Sequence, residues 1–192
     1  VEALRSDNRT LLWFYAPGYA SQKNLSHARM EALTGFRFEM AEEGILEGIP
    51  VRGGPRVGIG KTQKTLFTVC AEPGVNVLAH GVGALSGRAV IAERKHPTWR
   101  SIFSSVPGVT AEQLRTWYRE AGVHVYTDCE DVFSVGAAWA MLHTRTAGSK
   151  RITLPQKSRR VTEITTERVI GENIESFTVE LPQYATAVFL VE

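Results

Sequence analysis

The order of hydrophobic and polar positions divides the chain into a mixed first part and a strand-rich second part. The clearest helix lies between them, where apolar residues recur at helical spacing: Ala111, Leu114, Trp117, Tyr118 and Ala121. Thr110 and Gln113 have the spacing of a capping box before this helix. Gly122 follows its last apolar residue, where a left-handed cap favours glycine. We therefore predict a capped helix with one buried face.

The first part combines apolar runs with one further helix. Residues 10–15, TLLWFY, form a continuous apolar run, which predicts a strand buried on both faces of a sheet. Ser26 is a favourable N-cap and Gly35 a favourable end, so a helix is predicted between them. Residues 53–62 lie in a glycine-rich, weakly periodic stretch and predict a mobile loop. Short strands are expected at residues 36–40, 66–70, 75–79, 89–93 and 101–104.

After Gly122 nearly every apolar segment has the length of a short strand. The predicted strands lie at residues 124–127, 132–134, 139–143, 150–154, 160–164, 167–170, 176–181 and 187–191. Short strands at this regular pitch, with turn residues between them, favour an antiparallel sandwich or barrel. We therefore predict an α/β domain over residues 1–122, followed by a C-terminal antiparallel β-sandwich domain over residues 123–192.

The composition excludes some classes of binding partner but identifies none. The chain has 192 residues, of which 43% are hydrophobic, and a formal charge of +2. So small a charge gives no reason to expect a nucleic-acid partner. No apolar stretch approaches the ~20 residues of a membrane span, and no membrane partner is predicted. The cellular compartment stays open. The basic residues of one segment fit a solvated sheet face: Lys150, Arg151, Lys157, Arg159 and Arg160.

The motifs that suggest chemistry are incomplete. Gly60, Lys61 and Thr62 match the end of a phosphate-binding loop, but the first glycine of that motif would fall on Pro55. The five histidines have no metal-ligand spacing. We therefore predict no catalytic, cofactor or metal site. Cys70 and Cys129 are predicted to be free thiols, with a single disulfide as the alternative.

Aromatic residues near turns are the remaining candidates for a binding site. Trp99, Tyr19 and Tyr184 could each stack an exposed ring on the apolar C–H face of a sugar. A nucleophile pair of Cys70 with His80 or His96 is conceivable, but the sequence supplies no residue to orient the imidazole.

Several phrases resemble the C-terminal part of large glycoside hydrolases related to family-42 β-galactosidases. They are LLWFYAPGY (residues 11–19), the run from GVNVLAHGVG to YTDCEDV (residues 74–132) and FTVELPQYATAVFLVE (residues 177–192). The resemblance implies a flavodoxin- or glutamine-amidotransferase-like trimerisation domain, incomplete at its N-terminus, followed by a small β domain. The family's catalytic glutamates lie in a barrel of ~250 residues, too long for this chain. The turn after residues 11–15 also has no cysteine where amidotransferases place their nucleophile.

The predicted function is that of a non-catalytic accessory or oligomerisation region of such an enzyme, and no activity is expected of the chain alone. The expected partners are further copies of the chain or a glycoside hydrolase barrel, with carbohydrate as a further candidate ligand. Two alternatives stay open. One is a stand-alone carbohydrate-binding module, and the other is a divergent amidotransferase-like hydrolase that uses Cys70.

Overall fold

Strands dominate the computed structural model, which describes residues 2–192. Eleven strands and two α-helices lie within these residues, with short 3-10 helices at Glu2–Leu4 and Gly83–Leu85. The chain divides into a first compact unit that ends at Thr110 and a second that spans Ala111–Glu192. The sequence places the domain boundary later, after residue 122, and that boundary stays a prediction.

The first unit is a six-stranded sheet with one α-helix. Its elements are β1 (Arg9–Phe14), α1 (His27–Thr34), β2 (Phe38–Pro50), β3 (Val57–Val69), β4 (Val75–Gly81), β5 (Ala89–Lys95) and β6 (Trp99–Ser104). The strand order is β1-β6-β5-β3-β2-β4, and β4 also pairs with β5. Strands β2, β3, β5 and β4 thus form a closed ring. The β1–β6 pairing is parallel, and the other pairings of this sheet are antiparallel.

The predicted α/β fold, with its flavodoxin- or amidotransferase-like sheet, is therefore wrong. Such a sheet needs parallel strands joined by crossover helices. In this unit β1 and β6 form the one parallel pair described, every other pairing is antiparallel, and α1 is the one α-helix described between strands. The apolar runs report which segments are buried, but they do not report strand direction.

The loop predicted at residues 53–62 is also wrong over most of its length. Residues 57–62 belong to β3, which forms a long antiparallel hairpin with β2. Glycines obscure the alternation that would reveal this strand. Gly58 has φ +115, and a Cβ there would lie 2.3 Å from the backbone oxygen of Leu46 on β2. The absence of a side chain at Gly58 thus permits a close approach between β2 and β3.

The two ends of α1 follow the sequence prediction, whereas β1 does not. The Ser26 hydroxyl accepts the Arg29 amide at 3.2 Å, and Gly35 ends the helix with φ +77. Strand β1 was predicted to be buried on both faces, but it is a partly exposed edge strand paired with β6. One core cluster of this unit packs four phenylalanines with Met30 and smaller apolar side chains; the phenylalanines are Phe36, Phe38, Phe67 and Phe103.

The second unit begins with one helix and continues as a five-stranded sheet. Its elements are α2 (Ala111–Glu120), β7 (Val132–Val135), β8 (Trp139–His143), β9 (Gly148–Glu163), β10 (Arg168–Leu181) and β11 (Thr186–Val191). Helix α2 buries Trp117, and Gly122 after it has φ +75, as the pattern predicted. The strand order is β10-β9-β11-β8-β7, and every pairing is antiparallel.

These strands form a single sheet, so the predicted β-sandwich is wrong for the residues that the structure describes. Two pairs of predicted short strands merge into the long strands β9 and β10. Residues 155–157, which separate two of the predicted strands, lie exposed in the middle of β9. Residues 124–127 form no strand. One face of the sheet packs a core of Ile152, Leu154, Val161, Phe177, Val179, Ala187 and Phe189.

Candidate functional site

A polar cleft of about 810 Å³ lies in the second unit, between the end of α2 and the first half of β9. Its walls are formed by Arg119, residues 122–129, Ser149, Arg151 and Thr153. The Thr153 amide donates to the Tyr126 carbonyl at 2.8 Å, which holds the segment after α2 along β9. Ser149, Arg151 and Thr153 alternate with the buried side chains of β9 and so share its outward face. We call this feature the polar cleft.

The polar cleft contains both paired and unpaired charges. Arg119 forms an ion pair with Asp128. Arg151 is exposed, and its guanidinium has no hydrogen bond or ion pair within residues 2–192. Because a carbonyl only accepts, His124 Nε2 must donate to the Thr153 oxygen, 2.8 Å away. In the neutral ring Nδ1 is then a hydrogen-bond acceptor. The cleft therefore offers donors and acceptors together.

An exposed tryptophan lies on the outer face of the same sheet. The Trp139 side chain packs against the backbone of Gly136, since a Cβ at that glycine would lie 2.4 Å from the indole nitrogen. Trp139 is nevertheless 42% exposed, and it faces Leu190 across the β8–β11 pair. Trp139 was not among the aromatic residues predicted from the sequence to bind a sugar. The signal was present in β8 and β11, which are apolar on both faces.

No protein-family model matches the chain. No curated protein is similar to it. Solved β-galactosidases, in contrast, align with nearly all of it. The enzyme from Bacillus circulans sp. alkalophilus is 12% identical with a TM-score of 0.62, over 97% of this chain and 30% of that one. The enzyme from Halorubrum lacusprofundi is 11% identical with a TM-score of 0.63, over 98% and 28%.

A GH42 β-galactosidase from G. stearothermophilus is 13% identical with a TM-score of 0.58, over 97% of this chain and 28% of that one. The chain resembles one part of a family-42 β-galactosidase. This confirms the resemblance that the sequence phrases indicated. At such low identity the likeness shows the fold alone, and the chain spans about 30% of the length of these β-galactosidases.

The side chains that could ligate a metal and the two cysteines bear on the sequence predictions about chemistry. No three His, Cys, Asp or Glu side chains in residues 2–192 are arranged to hold a metal ion. Cys70 and Cys129 are free thiols, as predicted. Burial, followed by the charge of Glu39, raises the pKa of Cys70. Within residues 2–192 neither predicted imidazole partner is hydrogen-bonded to this thiol: His80 bonds the Gly87 carbonyl, and His96 stacks on Trp99.

None of the described helices has the length and apolar character needed to cross a membrane.

The three aromatic residues predicted as sugar contacts lie in different settings. Trp99 is 8% exposed and stacks on His96 with ring centres 4.1 Å apart, while the Arg5 guanidinium lies 5.0 Å from its ring. Tyr19 is half-buried against Phe67, with ring centres 4.7 Å apart. Tyr184 is 71% exposed in the turn between β10 and β11. A sugar contact at any of these rings stays a prediction.

Proposed function

We propose that this chain is a non-catalytic accessory region of a β-galactosidase-like glycoside hydrolase and that its role is assembly. One observation supports this most strongly. The similarity to β-galactosidases covers 97–98% of this chain but only 28–30% of theirs. A chain that corresponds to a minor part of a large enzyme is expected to depend on the rest for catalysis.

The outer face of the second sheet supports a role in assembly. It presents Trp139, Met141, Ile164, Val169, Val188 and Leu190, which we call the outer apolar face. Leu190 is 39% exposed, and Val169 is 40% exposed. The opposite face of this sheet already packs a core. Antiparallel sheets that pack on one face usually present polar side chains on the other, and extended apolar patches mark interaction sites.

The free edge of the first sheet gives a second reason to expect association. Within residues 2–192, β1 pairs only with β6, so its other edge presents unpaired backbone groups. Unprotected edges of this kind favour pairing with another chain. We therefore propose further copies of this chain as the first partner. A glycoside hydrolase barrel is the second.

Sedimentation velocity over a wide range of protein concentration tests the assembly role. We expect reversible association of the wild-type chain and a clear weakening in the Trp139→Gln/Leu190→Gln variant, because polar groups replace two apolar side chains that face each other on the outer apolar face. The matched control is Tyr184→Gln, which removes a more exposed aromatic ring in a turn. Circular dichroism should show that all three proteins are folded.

Two results would contradict the proposal. A strict monomer at every concentration excludes the oligomerisation role. Hydrolysis of a nitrophenyl β-galactoside by the isolated chain excludes the non-catalytic role. Equal association of the wild type and the Trp139→Gln/Leu190→Gln variant would leave assembly intact but place it on another surface, such as the β1 edge.

A further inference from the structure

We propose that the polar cleft of the second unit binds a carbohydrate that carries a carboxylate, with Arg151 as the group that recognises the acid. The choice of carbohydrate as the ligand class rests on the proposed function, whereas the anionic group follows from the cleft itself. The cleft volume of about 810 Å³ lies within the range of roughly 300–1,000 Å³ that is typical of small-molecule sites. A ligand of one or two sugar rings fits this size.

The balance of charge in the cleft favours an acidic ligand. Arg119 is compensated by Asp128, whereas Arg151 has no ion pair within residues 2–192. A guanidinium binds a carboxylate through two parallel hydrogen bonds, and this geometry is more specific than that of an ammonium group. Ser149 and Thr153 lie on either side of Arg151 on the same face of β9, and their hydroxyls can bond the oxygens next to the acid.

The acceptors in the cleft distinguish a sugar from a simple anion. Asp128 is a carboxylate, and His124 directs Nε2 to the Thr153 carbonyl, which leaves Nδ1 as an acceptor when the ring is neutral. Inorganic phosphate near neutral pH presents mainly acceptor oxygens, so these groups offer it little. Sugar hydroxyls both donate and accept, and they match such a mixed lining. We therefore expect an acidic sugar to bind better than either a neutral sugar or phosphate.

Cys129 provides a reporter inside the cleft. Cys129 is a lining residue of the cleft and has a free thiol, while the second free thiol, Cys70, lies in the first unit. The full chain is treated with a maleimide, and the modification of each cysteine is followed by peptide mass spectrometry. The probes are digalacturonate, lactose and inorganic phosphate, with calorimetry as the second measurement. We expect digalacturonate to slow the labelling of Cys129 in a saturable manner and to leave Cys70 unchanged.

Substitution of the proposed recognition residue completes the test. Arg151→Gln should weaken digalacturonate binding by at least roughly tenfold, since it removes a charge-assisted pair. The matched control is Arg160→Gln on the same strand, which lies opposite Glu172 and outside the cleft. Circular dichroism verifies that both variants are folded.

Three results would overturn the inference: no saturable binding of digalacturonate, equal binding by the Arg151→Gln variant, or equal binding of lactose or phosphate. Because the readout is ligand binding, it does not depend on association of the chain. A monomer that binds digalacturonate would refute the assembly role and retain the cleft, and an oligomer that binds none would do the reverse.

Discussion

Replacing Glu163 by glutamine is expected to destabilise the second unit in a pH-dependent way. Glu163 is the last residue of β9 and is 9% exposed. Its carboxylate accepts hydrogen bonds from the Thr166 hydroxyl and from the amides of Thr166 and Thr165, at 2.8 and 3.0 Å for the amides. The Thr166 hydroxyl contributes most, and these bonds together lower the pKa of Glu163 from 4.5 to about 2 in spite of its burial.

The size of the effect follows from this change in pKa. Each pKa unit corresponds to about 1.4 kcal/mol, so the full shift sets an upper limit of roughly 3 kcal/mol. Thr165 and Thr166 are exposed, and water screens the turn that they form. We therefore expect a loss of about 1.5–2 kcal/mol in Glu163→Gln, the lower part of the range for hydrogen bonds to a charged group. Because the folded pKa is depressed, the stabilisation is complete above the unfolded value of about 4.3 and disappears as the pH falls towards 2.

Urea unfolding of the wild type and Glu163→Gln at about pH 7, about pH 4.5 and about pH 3 tests this reasoning. The difference in unfolding free energy should be largest at about pH 7 and should be smaller at about pH 3. Glu175→Gln, at an exposed position on β10, is the control and should change stability by less than about 0.5 kcal/mol. A deficit that is independent of pH, or no deficit at about pH 7, would refute the role of the ionised carboxylate.

Two further substitutions test a buried ion pair in the second unit and a close backbone contact in the first. Lys150→Met should reduce the free energy of unfolding by about 3–5 kcal/mol, because the Lys150 ammonium lies 2.8 Å from a carboxylate oxygen of Asp131 and both side chains are almost fully buried. Chemical denaturation measures this, and a loss below about 1 kcal/mol would show that the charge of Asp131 needs no partner. Gly58→Ala should cost more than about 2 kcal/mol, since its Cβ would meet the β2 backbone at 2.3 Å. Gly53→Ala is the control, because a Cβ at Gly53 meets nothing within 4 Å. It should lower the melting temperature less than Gly58→Ala does. Equal losses in the two variants would contradict the steric argument.

The burial of the basic residues in the first half of β9 could not be predicted from the sequence. From the sequence, Lys150 and Arg151 fit the same solvated sheet face. In the structure their neighbouring positions on β9 point to opposite faces, because successive side chains of a strand alternate. Lys150 is therefore buried with Asp131, while Arg151 faces the polar cleft. The segment that completes the cleft was predicted as a strand at residues 124–127, and its position beside β9 depends on contacts distant in sequence.

Local features of this protein were determined by the sequence alone. The cap residues fixed both ends of α1, because Ser26 and Gly35 act within a few residues of the backbone groups that they satisfy. The predicted strand at residues 139–143 coincides with β8. The resemblance to family-42 β-galactosidases was also predicted from three segments of the sequence.

The tertiary structure alone decided how the strands pair. Hydrophobic periodicity indicates which side chains of a segment are buried. It is the same for a strand that runs parallel to its neighbour and for one that runs antiparallel. The closure of β2, β3, β5 and β4 into a ring, and the joining of the second-unit strands into one sheet, depend on hydrogen bonds between residues far apart in the chain. Such pairings are selected by the packing of the whole unit. The α/β fold and the β-sandwich were inferred from local patterns alone, and for this reason both predictions were wrong.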